Sequence, residues 1–291
     1  MIEMTVAVPM FRAKYCGWIA IESLVRQTHV NFDWELIVAE EINDESFTKD
    51  RLMKYKKRLE AIGCVRILYI PLRYWEPLSD KFSLMCHSSF KKSRIFATNS
   101  ADLYSSPRRL KTQYDLFMGN DNIDSCSSGR SIVYDIRSER IYLNDSSRRL
   151  IKEPNQRIVD GTMRCVRMDL MRRLPKKANL RKSIDSWIYR ESKKYVESIG
   201  KKFNHHLDLT TNNWKYALNV HGLNNITMKV REKRFGGNRP YWIVKCPINI
   251  KNTIPPKILK RLRESKKYLN LHNRRRPKLV PYNKRRGKND T

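Results

Sequence analysis

Three side chains with the chemistry of a metal and acid–base site are spread along this sequence. Asp102 follows a predicted strand at 95–98, Asp185 opens a predicted helix at 183–198, and His221 stands in the late segment 220–222. Carboxylates and imidazoles bind divalent cations, and Mg²⁺ usually keeps substrate phosphates among its ligands. A carboxylate can also take a proton from an attacking hydroxyl group. Together the three predict one site that holds a cation against a phosphate.

Two more segments are expected at the same place. Pro9 ends a β-rich run at 5–9, and Glu40 with Glu41 follows a predicted strand at 34–39. In open α/β sheets, ligands bind beyond the carboxyl ends of the strands, so these loops should meet near Asp102. The loop after the first strand can hold a base and ribose, and a carboxylate after the second can accept hydrogen bonds from them.

Each of these residues also has a plainer interpretation. Aspartate is a common helix cap, so Asp102 and Asp185 can serve the backbone alone. A lone histidine such as His221 is weak evidence for a ligand. Glu40 and Glu41 can belong to a solvated loop.

The elements that must position these residues alternate in type. Apolar runs and helical spacing predict strand, helix, strand, helix, strand through the first hundred residues, and therefore an α/β sheet with right-handed crossovers. A hairpin and a series of helices should follow. The predicted strands lie at 5–9, 34–39, 65–70, 95–98, 131–136 and 140–143, and the predicted helices at 15–28, 46–62, 80–92, 169–174, 183–198 and 255–269.

Several segments in this order resemble one known family. Residues 6–11, 22–28 and 34–38 resemble the opening of family-two glycosyltransferases of the GT-A fold. Residues 100–104 resemble its DxD segment, 161–164 its acceptor-side loop, 184–187 the segment of its catalytic base, and 220–224 a late histidine segment. The resemblance covers about residues 4–230 and implies a Rossmann-like mixed sheet flanked by helices. It also implies transfer of a sugar, by inversion, from a nucleoside-diphosphate sugar, most often a UDP-sugar.

The resemblance assigns a role to each candidate residue. Asp185 would be the general base, and Asp102 with His221 would hold Mn²⁺ or Mg²⁺. In one respect the sequence departs from the family, because Asn99 and Ser100 stand where carboxylates are common. The residues that would contact the donor nucleotide are Pro9, Phe11, Glu40, Glu41, Lys81, Ser100 and Ala101.

The composition indicates the class of protein to which this chain belongs. The 291 residues are 40% hydrophobic, so a sizeable core can form and the chain is not disordered as a whole. Six cysteines occur singly without a CxxC pair, which argues against a zinc ribbon and indicates reduced thiols. No apolar stretch reaches the roughly 20 residues that span a bilayer. We therefore expect a cytoplasmic protein with no transmembrane segment.

The net charge of +31 predicts a polyanionic partner. We expect a GT-A domain at 1–230 and a basic C-terminal extension at 231–291. From residue 251 onward there are 15 basic and 2 acidic residues, a net charge of +13. The proposed nucleic-acid contacts in this tail are Arg274, Arg275, Arg276, Lys284, Arg285 and Arg286. A solubility or packing tail is the plainer interpretation.

The charge favours DNA as the acceptor, because neutralised phosphates supply most of non-specific affinity. A hydroxymethylated pyrimidine in phage DNA would offer the hydroxyl group. Two alternatives stay open: a glycan, lipid or protein acceptor, and a non-catalytic nucleic-acid-binding protein on a degenerate transferase fold.

Overall fold

Four strands from the first hundred residues lie side by side at the centre of the fold. The computed structural model describes residues 1–73, 76–128, 130–135, 140–145, 164–176, 178, 180, 184–208, 217–221, 243–245 and 255–272. It contains β1 (Ile2–Met10), β2 (Asp33–Glu41), β3 (Cys64–Leu72) and β4 (Ile95–Thr98). They run parallel in the order β4-β1-β2-β3. The four predicted strands are confirmed, and the first three extend beyond their predicted bounds.

Three short strands continue this sheet beyond β4. They are β6 (Ser125–Ser128), β9 (Cys165–Arg167) and β10 (His205–Asp208), which complete the order β10-β6-β9-β4-β1-β2-β3. β9 is antiparallel to both of its neighbours, so the sheet is mixed. The sequence pattern did not predict these strands, because three or four residues are too few to show an alternating period.

A second sheet contains the predicted hairpin. Its strands are β5 (Leu103–Ser105), β7 (Arg130–Asp135), β8 (Arg140–Asp145), β11 (Ala217–His221) and β12 (Ile243–Lys245), in the order β12-β8-β7-β11-β5. β7 and β8 pair in antiparallel register and confirm the hairpin. β5 connects the two sheets along the chain, since it begins five residues after β4 ends.

Helices pack on both faces of the central sheet. Side chains of β1 alternate between two apolar clusters: Val6 and Val8 belong to one, and Ala7 to the other. The first cluster receives α1 (Gly17–Leu24), α2 (Lys49–Met53), α3 (Lys56–Glu60) and α5 (Arg109–Met118). The second receives α4 (Leu78–His87), α6 (Met168–Arg172) and α7 (Ile184–Ser198).

One predicted helix is divided in two. The pattern at 46–62 predicts a continuous helix, whereas the structure has α2 and α3 with a tighter turn between them. There the N–H of Tyr55 donates to the carbonyl oxygen of Leu52, three residues back, instead of four. Leu52 and Leu59 are nevertheless both buried, so the apolar face predicted for the helix is kept.

The last described helix, α8 (Pro256–His272), packs into the first apolar cluster. Ile258, Leu259 and Leu262 are buried there. The guanidinium of Arg261 lies 4.1 Å from the ring centroid of Trp18 in α1. The predicted domain boundary at residue 230 falls outside the described residues and stays a prediction, but this helix of the basic extension packs against the α/β domain.

The described part of the chain bears on two further expectations. Cys16, Cys64, Cys86, Cys126 and Cys165 are free thiols there. No helix among the described residues is both long enough and apolar enough to cross a bilayer.

Replacing Leu262 by Ala should destabilise the fold by about 2–5 kcal/mol, because it removes a fully buried side chain between α8 and the core. Urea unfolding of the full chain measures this loss. The control is Lys257→Ala, an exposed position on the same helix, which should change stability by no more than about 0.5 kcal/mol. Equal effects of the two substitutions would show that α8 is not docked in solution.

Candidate functional site

The carboxyl ends of three parallel strands form one edge of the central sheet. Met10 of β1 lies beside Glu40 of β2, and Ala7 of β1 lies beside Thr98 of β4. The loops that follow these strands therefore start next to one another, as the sequence predicts. The candidate residues that this edge brings together are Pro9, Phe11, Glu40, Glu41, Ser100, Ala101 and Asp102.

A buried ion pair joins β2 to α4 at this edge. The ammonium of Lys81 contacts the carboxylate of Glu41, and the two side chains are only 4% and 6% exposed. The same ammonium donates to the carbonyl oxygen of Met10 over 3.4 Å and lies 5.7 Å from the ring centroid of Phe11. Burial raises the pKa of Glu41, although the charge of Lys81 opposes the rise. One charge of each sign is thus fixed beside the loop after β1.

The neighbouring carboxylate, that of Glu40, is fully buried and faces other partners. It accepts hydrogen bonds from the backbone N–H groups of Phe47 and Thr48 and from the hydroxyl of Tyr69, which is 2.8 Å away. These bonds hold the turn that leads into α2, so they give Glu40 a structural task. Its contact with a nucleoside remains a prediction, as does that of Glu41, whose carboxylate is paired with Lys81.

A fully buried arginine supports the segment that carries Asp102. The guanidinium of Arg109 in α5 donates to Asn99 Oδ1 and to the carbonyl oxygen of Thr98, each over 2.6 Å. It also donates to Ser105 Oγ and to Gln113 Oε1, both over 3.0 Å. These four neutral acceptors belong to β4, the loop after it, β5 and α5. The position of the loop is therefore fixed from both of its ends.

Asp102 itself lies in a tight turn at the end of this loop. The N–H of Leu103 donates to the carbonyl oxygen of Ser100 over 3.1 Å, and the side chain of Asp102 is partly exposed. The thiol of Cys16 lies near both Asp102 and Glu40. Burial, and then the negative charges of these two carboxylates, raise the pKa of Cys16 above its usual value. Asp102 therefore shares its surroundings with the loop after β1.

Strand pairing brings the histidine segment to the same place. β11 runs antiparallel to β5, with Asn219 opposite Leu103. The pairing ends at Asn219 and Leu103, two residues before His221 and one residue after Asp102. His221 is also the register partner of Asp135 in β7. The sequence therefore brings two distant candidate segments together through the second sheet.

Asp185 is the second residue of α7, at its amino end. The helix is anchored by Ile184 and Trp187, which are buried in the second apolar cluster. Just before the helix, the backbone at Leu180 exchanges two hydrogen bonds with Ser79 at the start of α4. α4 also carries Lys81. The segment that precedes α7 is therefore hydrogen-bonded to the helix that contributes the Glu41–Lys81 pair.

Other sequence candidates lie outside the described residues. These are the tail residues Arg274, Arg275, Arg276, Lys284, Arg285 and Arg286. Most of the loop at 161–164 is outside as well, and only Arg164 is described. Arg164 is fully buried, and its carbonyl oxygen accepts a hydrogen bond from the N–H of Thr98 over 2.9 Å.

Sequence reasoning missed Arg109. Its one signal was Asn99, a polar residue directly after an apolar strand, where a buried side chain needs a hydrogen-bond partner. An arginine in the first turn of a helix is normally expected to be a solvated side chain, so its burial under the loop was not predicted.

Comparison with known proteins was informative only at the level of structure. No protein-family model and no curated protein matches the chain. Among solved structures, TarS 1-349 from S. aureus in complex with UDP-GlcNAc superposes with a TM-score of 0.54 at 12% identity, over 75% of this chain and 58% of that one. The mannosyltransferase PcManGT from Pyrobaculum calidifontis, in complex with GDP-Man and Mn²⁺, gives 0.52 at 14% identity, over 93% and 70%.

The fold is that of the GT-A glycosyltransferases. The fold class predicted from the sequence is thereby confirmed: a mixed α/β sheet, parallel at its centre and covered by helices on both faces. The chain spans about three fifths of the TarS 1-349 chain that it matches. At these identities the likeness concerns the fold alone.

The Glu41–Lys81 pair makes a testable contribution to stability. Replacing Lys81 by Met leaves a buried carboxylate without its cation, which should cost about 3–5 kcal/mol at pH 8. Without Lys81 the pKa of Glu41 rises further, and a group whose folded-state pKa is raised contributes stability at low pH that is lost as the pH rises through it. Urea unfolding of Lys81→Met should therefore show a steeper loss of stability between pH 5 and pH 8 than the parent protein.

The control is the double variant Lys81→Met/Glu41→Gln. It removes the titrating carboxylate, so the additional pH dependence should disappear. If the single and double variants lose stability in parallel with pH, the two side chains do not form the buried pair.

Proposed function

We propose that this protein transfers a sugar from a nucleoside-diphosphate sugar to an acceptor hydroxyl group. The observation that carries the proposal is the convergence of Glu41–Lys81, the loop at 99–102 and the segment of His221 at one edge of a GT-A sheet. The solved neighbours TarS and PcManGT hold UDP-GlcNAc and GDP-Man with Mn²⁺ respectively. These ligands support a nucleotide-sugar donor, with a UDP-sugar as our choice.

The donor nucleotide is assigned to the loops after β1, β2 and β4. Phe11 is 38% exposed and offers an apolar surface for a base next to Pro9. Glu41, held by Lys81, can accept hydrogen bonds from the nucleoside, whereas Glu40 holds the turn behind it. Ser100 and Ala101 lie where the diphosphate would pass on its way to Asp102.

A divalent cation fits the residues that are present. Mg²⁺ and Mn²⁺ sites of this kind use one or two protein ligands and complete the shell with substrate phosphates. Asp102 supplies a partly exposed carboxylate, and we assign His221, two residues beyond the pairing of β11 with β5, as the second ligand. No cluster of three acidic, histidine or cysteine side chains occurs among the described residues, so substrate oxygens and water would have to complete the shell. When bound, the cation would neutralise the diphosphate and make it a better leaving group.

Asp185 is assigned the role of general base. It would take the proton from the acceptor hydroxyl as that oxygen bonds to the anomeric carbon. The bond from the anomeric carbon to the diphosphate breaks at the same time, and its electron pair leaves with the diphosphate. Attack from the opposite face inverts the configuration at this carbon.

The favoured acceptor is a 5-hydroxymethylated pyrimidine in DNA. The net charge of +31 supports a polyanion, since binding to phosphates needs many cations. The basic residues of the tail would contact phosphates and not base edges, and so would hold any sequence alike. Incubation with sugar nucleotides and hydroxymethylated DNA, followed by mass spectrometry of the nucleosides, tests this acceptor directly.

Replacing Asp185 by Asn should lower the transfer rate by about a hundred- to ten-thousandfold, because an amide cannot accept the proton. Binding of the sugar nucleotide, measured by calorimetry, should stay nearly unchanged, since the amide keeps the shape of the side chain. A variant that retains more than about a tenth of the parent rate would contradict the general-base role.

Transfer should stop in excess chelator and return when Mn²⁺ or Mg²⁺ is added. Asp102→Ala should need much more cation for half-maximal rate, because a protein ligand is lost. Asp121→Ala, at an aspartate whose side chain is 88% exposed in the turn after α5, serves as the control and should leave the cation requirement unchanged. Full activity in excess chelator would instead show that lysine and arginine side chains, and not a cation, neutralise the diphosphate.

A further inference from the structure

A basic face lies on the surface formed by α2, α3 and α8. Its members are exposed lysines and arginines: Lys49, Arg51, Lys54, Lys56, Lys57, Arg58, Lys257, Lys260, Arg261 and Arg263. We propose that this basic face binds the phosphate backbone of duplex DNA. The proposal deepens the function above, on which its choice of DNA rests, and it concerns described residues distinct from the C-terminal tail.

Packing makes these three helices one surface. Leu52 of α2, Leu59 of α3 and Leu262 of α8 are buried in the same apolar cluster. Arg261 bridges the helices: its guanidinium stacks on Trp18, and it donates to the hydroxyl of Tyr55 over 3.5 Å. The basic side chains are therefore carried by helices that pack into one apolar cluster, although α8 is almost two hundred residues away in the sequence.

The charge of this surface exceeds what a uniformly basic chain would give. Residues 49–60 hold six basic and two acidic side chains, and residues 256–264 hold four and one, so the net charge is +4 and +3, or +7 over 21 residues. The chain average, +31 over 291 residues, would give about 2. By contrast, α7 on the opposite face of the sheet carries three basic and three acidic residues and has no net charge.

Half of the basic face is not neutralised. Within the described part of the chain, no carboxylate lies within 4.0 Å of the ammonium groups of Lys49, Lys54, Lys57, Lys257 or Lys260. On α7, in comparison, Lys193 pairs with Glu197 over 3.1 Å. Like charges gathered without counter-charges repel one another, and an external polyanion relieves this repulsion.

The dimensions and the apolar pattern favour a nucleic acid over a membrane. At 17 residues α8 is about 25 Å long, a length over which a duplex presents about 15 phosphate charges. A membrane-binding basic helix needs an exposed apolar side as well. Among residues 256–264, the part of α8 whose side chains the structure describes, the apolar residues Ile258, Leu259 and Leu262 are buried against the protein instead.

The basic face also reaches the candidate site. Arg51 in α2 donates to the carbonyl oxygen of Lys14 over 3.0 Å, and Lys14 lies in the loop after β1, three residues from Phe11. α2 itself begins directly after Thr48, whose N–H is held by Glu40. A duplex that lies along the basic face would therefore pass close to the edge where the donor is expected.

The test compares two triple variants with the same loss of charge. Lys54→Gln/Lys57→Gln/Lys260→Gln removes three charges from the basic face. The control, Lys194→Gln/Lys201→Gln/Lys202→Gln, removes three exposed charges from α7 and the loop after it. Binding of the full chain to an unmodified 30-base-pair duplex is followed by fluorescence anisotropy at several salt concentrations.

A plot of log binding constant against log salt concentration should have a slope about 2.7 less negative for the first variant than for the parent protein. This is about 0.9 for each of three lost phosphate contacts. The control should keep the slope of the parent protein. Equal flattening in both variants would overturn the proposal, since only net charge would then matter. Tighter binding of the parent protein to phosphatidylserine vesicles than to the duplex would overturn it as well.

The mass-spectrometric transfer assay separates this proposal from the proposed function. If only the basic-face variant shows a flatter salt dependence of duplex binding, and no sugar is transferred to hydroxymethylated DNA, the DNA-binding role of the basic face is supported and DNA is rejected as the acceptor. If sugar is transferred to DNA and the basic-face variant keeps the salt dependence of the parent protein, DNA is supported as the acceptor and the DNA-binding role of the basic face is rejected. Absence of duplex binding by the parent protein would reject both.

Discussion

The burial of one arginine beneath the loop at 99–102 is the constraint on which the candidate site depends. A buried cation is tolerated only when its donors are satisfied, and Arg109 satisfies them with acceptors from β4, β5 and α5. The next residue, Leu110, donates its N–H to Gln27, which follows α1 and in turn donates to the carbonyl oxygen of Ser106. The loop that carries Asp102 therefore cannot move without breaking contacts in several elements.

Several acidic side chains are buried inside the fold, and their burial affects the charge of the outer surface. Glu22, Glu35, Glu40 and Glu41 are all buried near the amino end of the chain. Glu35 alone holds Arg66 at 2.7 Å, the hydroxyl of Thr5 and the N–H of Phe90. Three basic side chains, Lys81, Arg109 and Arg164, are buried as well, so nearly all of the net charge of +31 is left for the exposed surface. The basic face of α2, α3 and α8 is where that excess is densest among the surfaces compared above.

The sequence was sufficient for the parallel core and insufficient for what surrounds it. Strands β1–β4 could be predicted because a buried parallel strand is a continuous apolar run bounded by turns. The second sheet could not, apart from its hairpin, since β5, β11 and β12 have three to five residues each and pair over long sequence distances. His221 was therefore proposed from residue type and family resemblance, and the pairing that brings its strand to β5 was not predicted. The Arg109 network was equally unpredictable, because burial of a charged residue depends on tertiary acceptors.

The departure from a two-carboxylate DxD segment has a physical consequence at this edge. Glu40 is occupied by two N–H groups and a hydroxyl, and Glu41 by Lys81, so neither is arranged to bind a cation. Asp102, which we propose as the cation ligand, has a partly exposed side chain, and Ser100 adds no charge. With Asp102 as the proposed carboxylate ligand, diphosphate oxygens and water would complete the shell of the cation. It follows that the cation and the sugar nucleotide should bind together, with each raising the affinity for the other by the same factor.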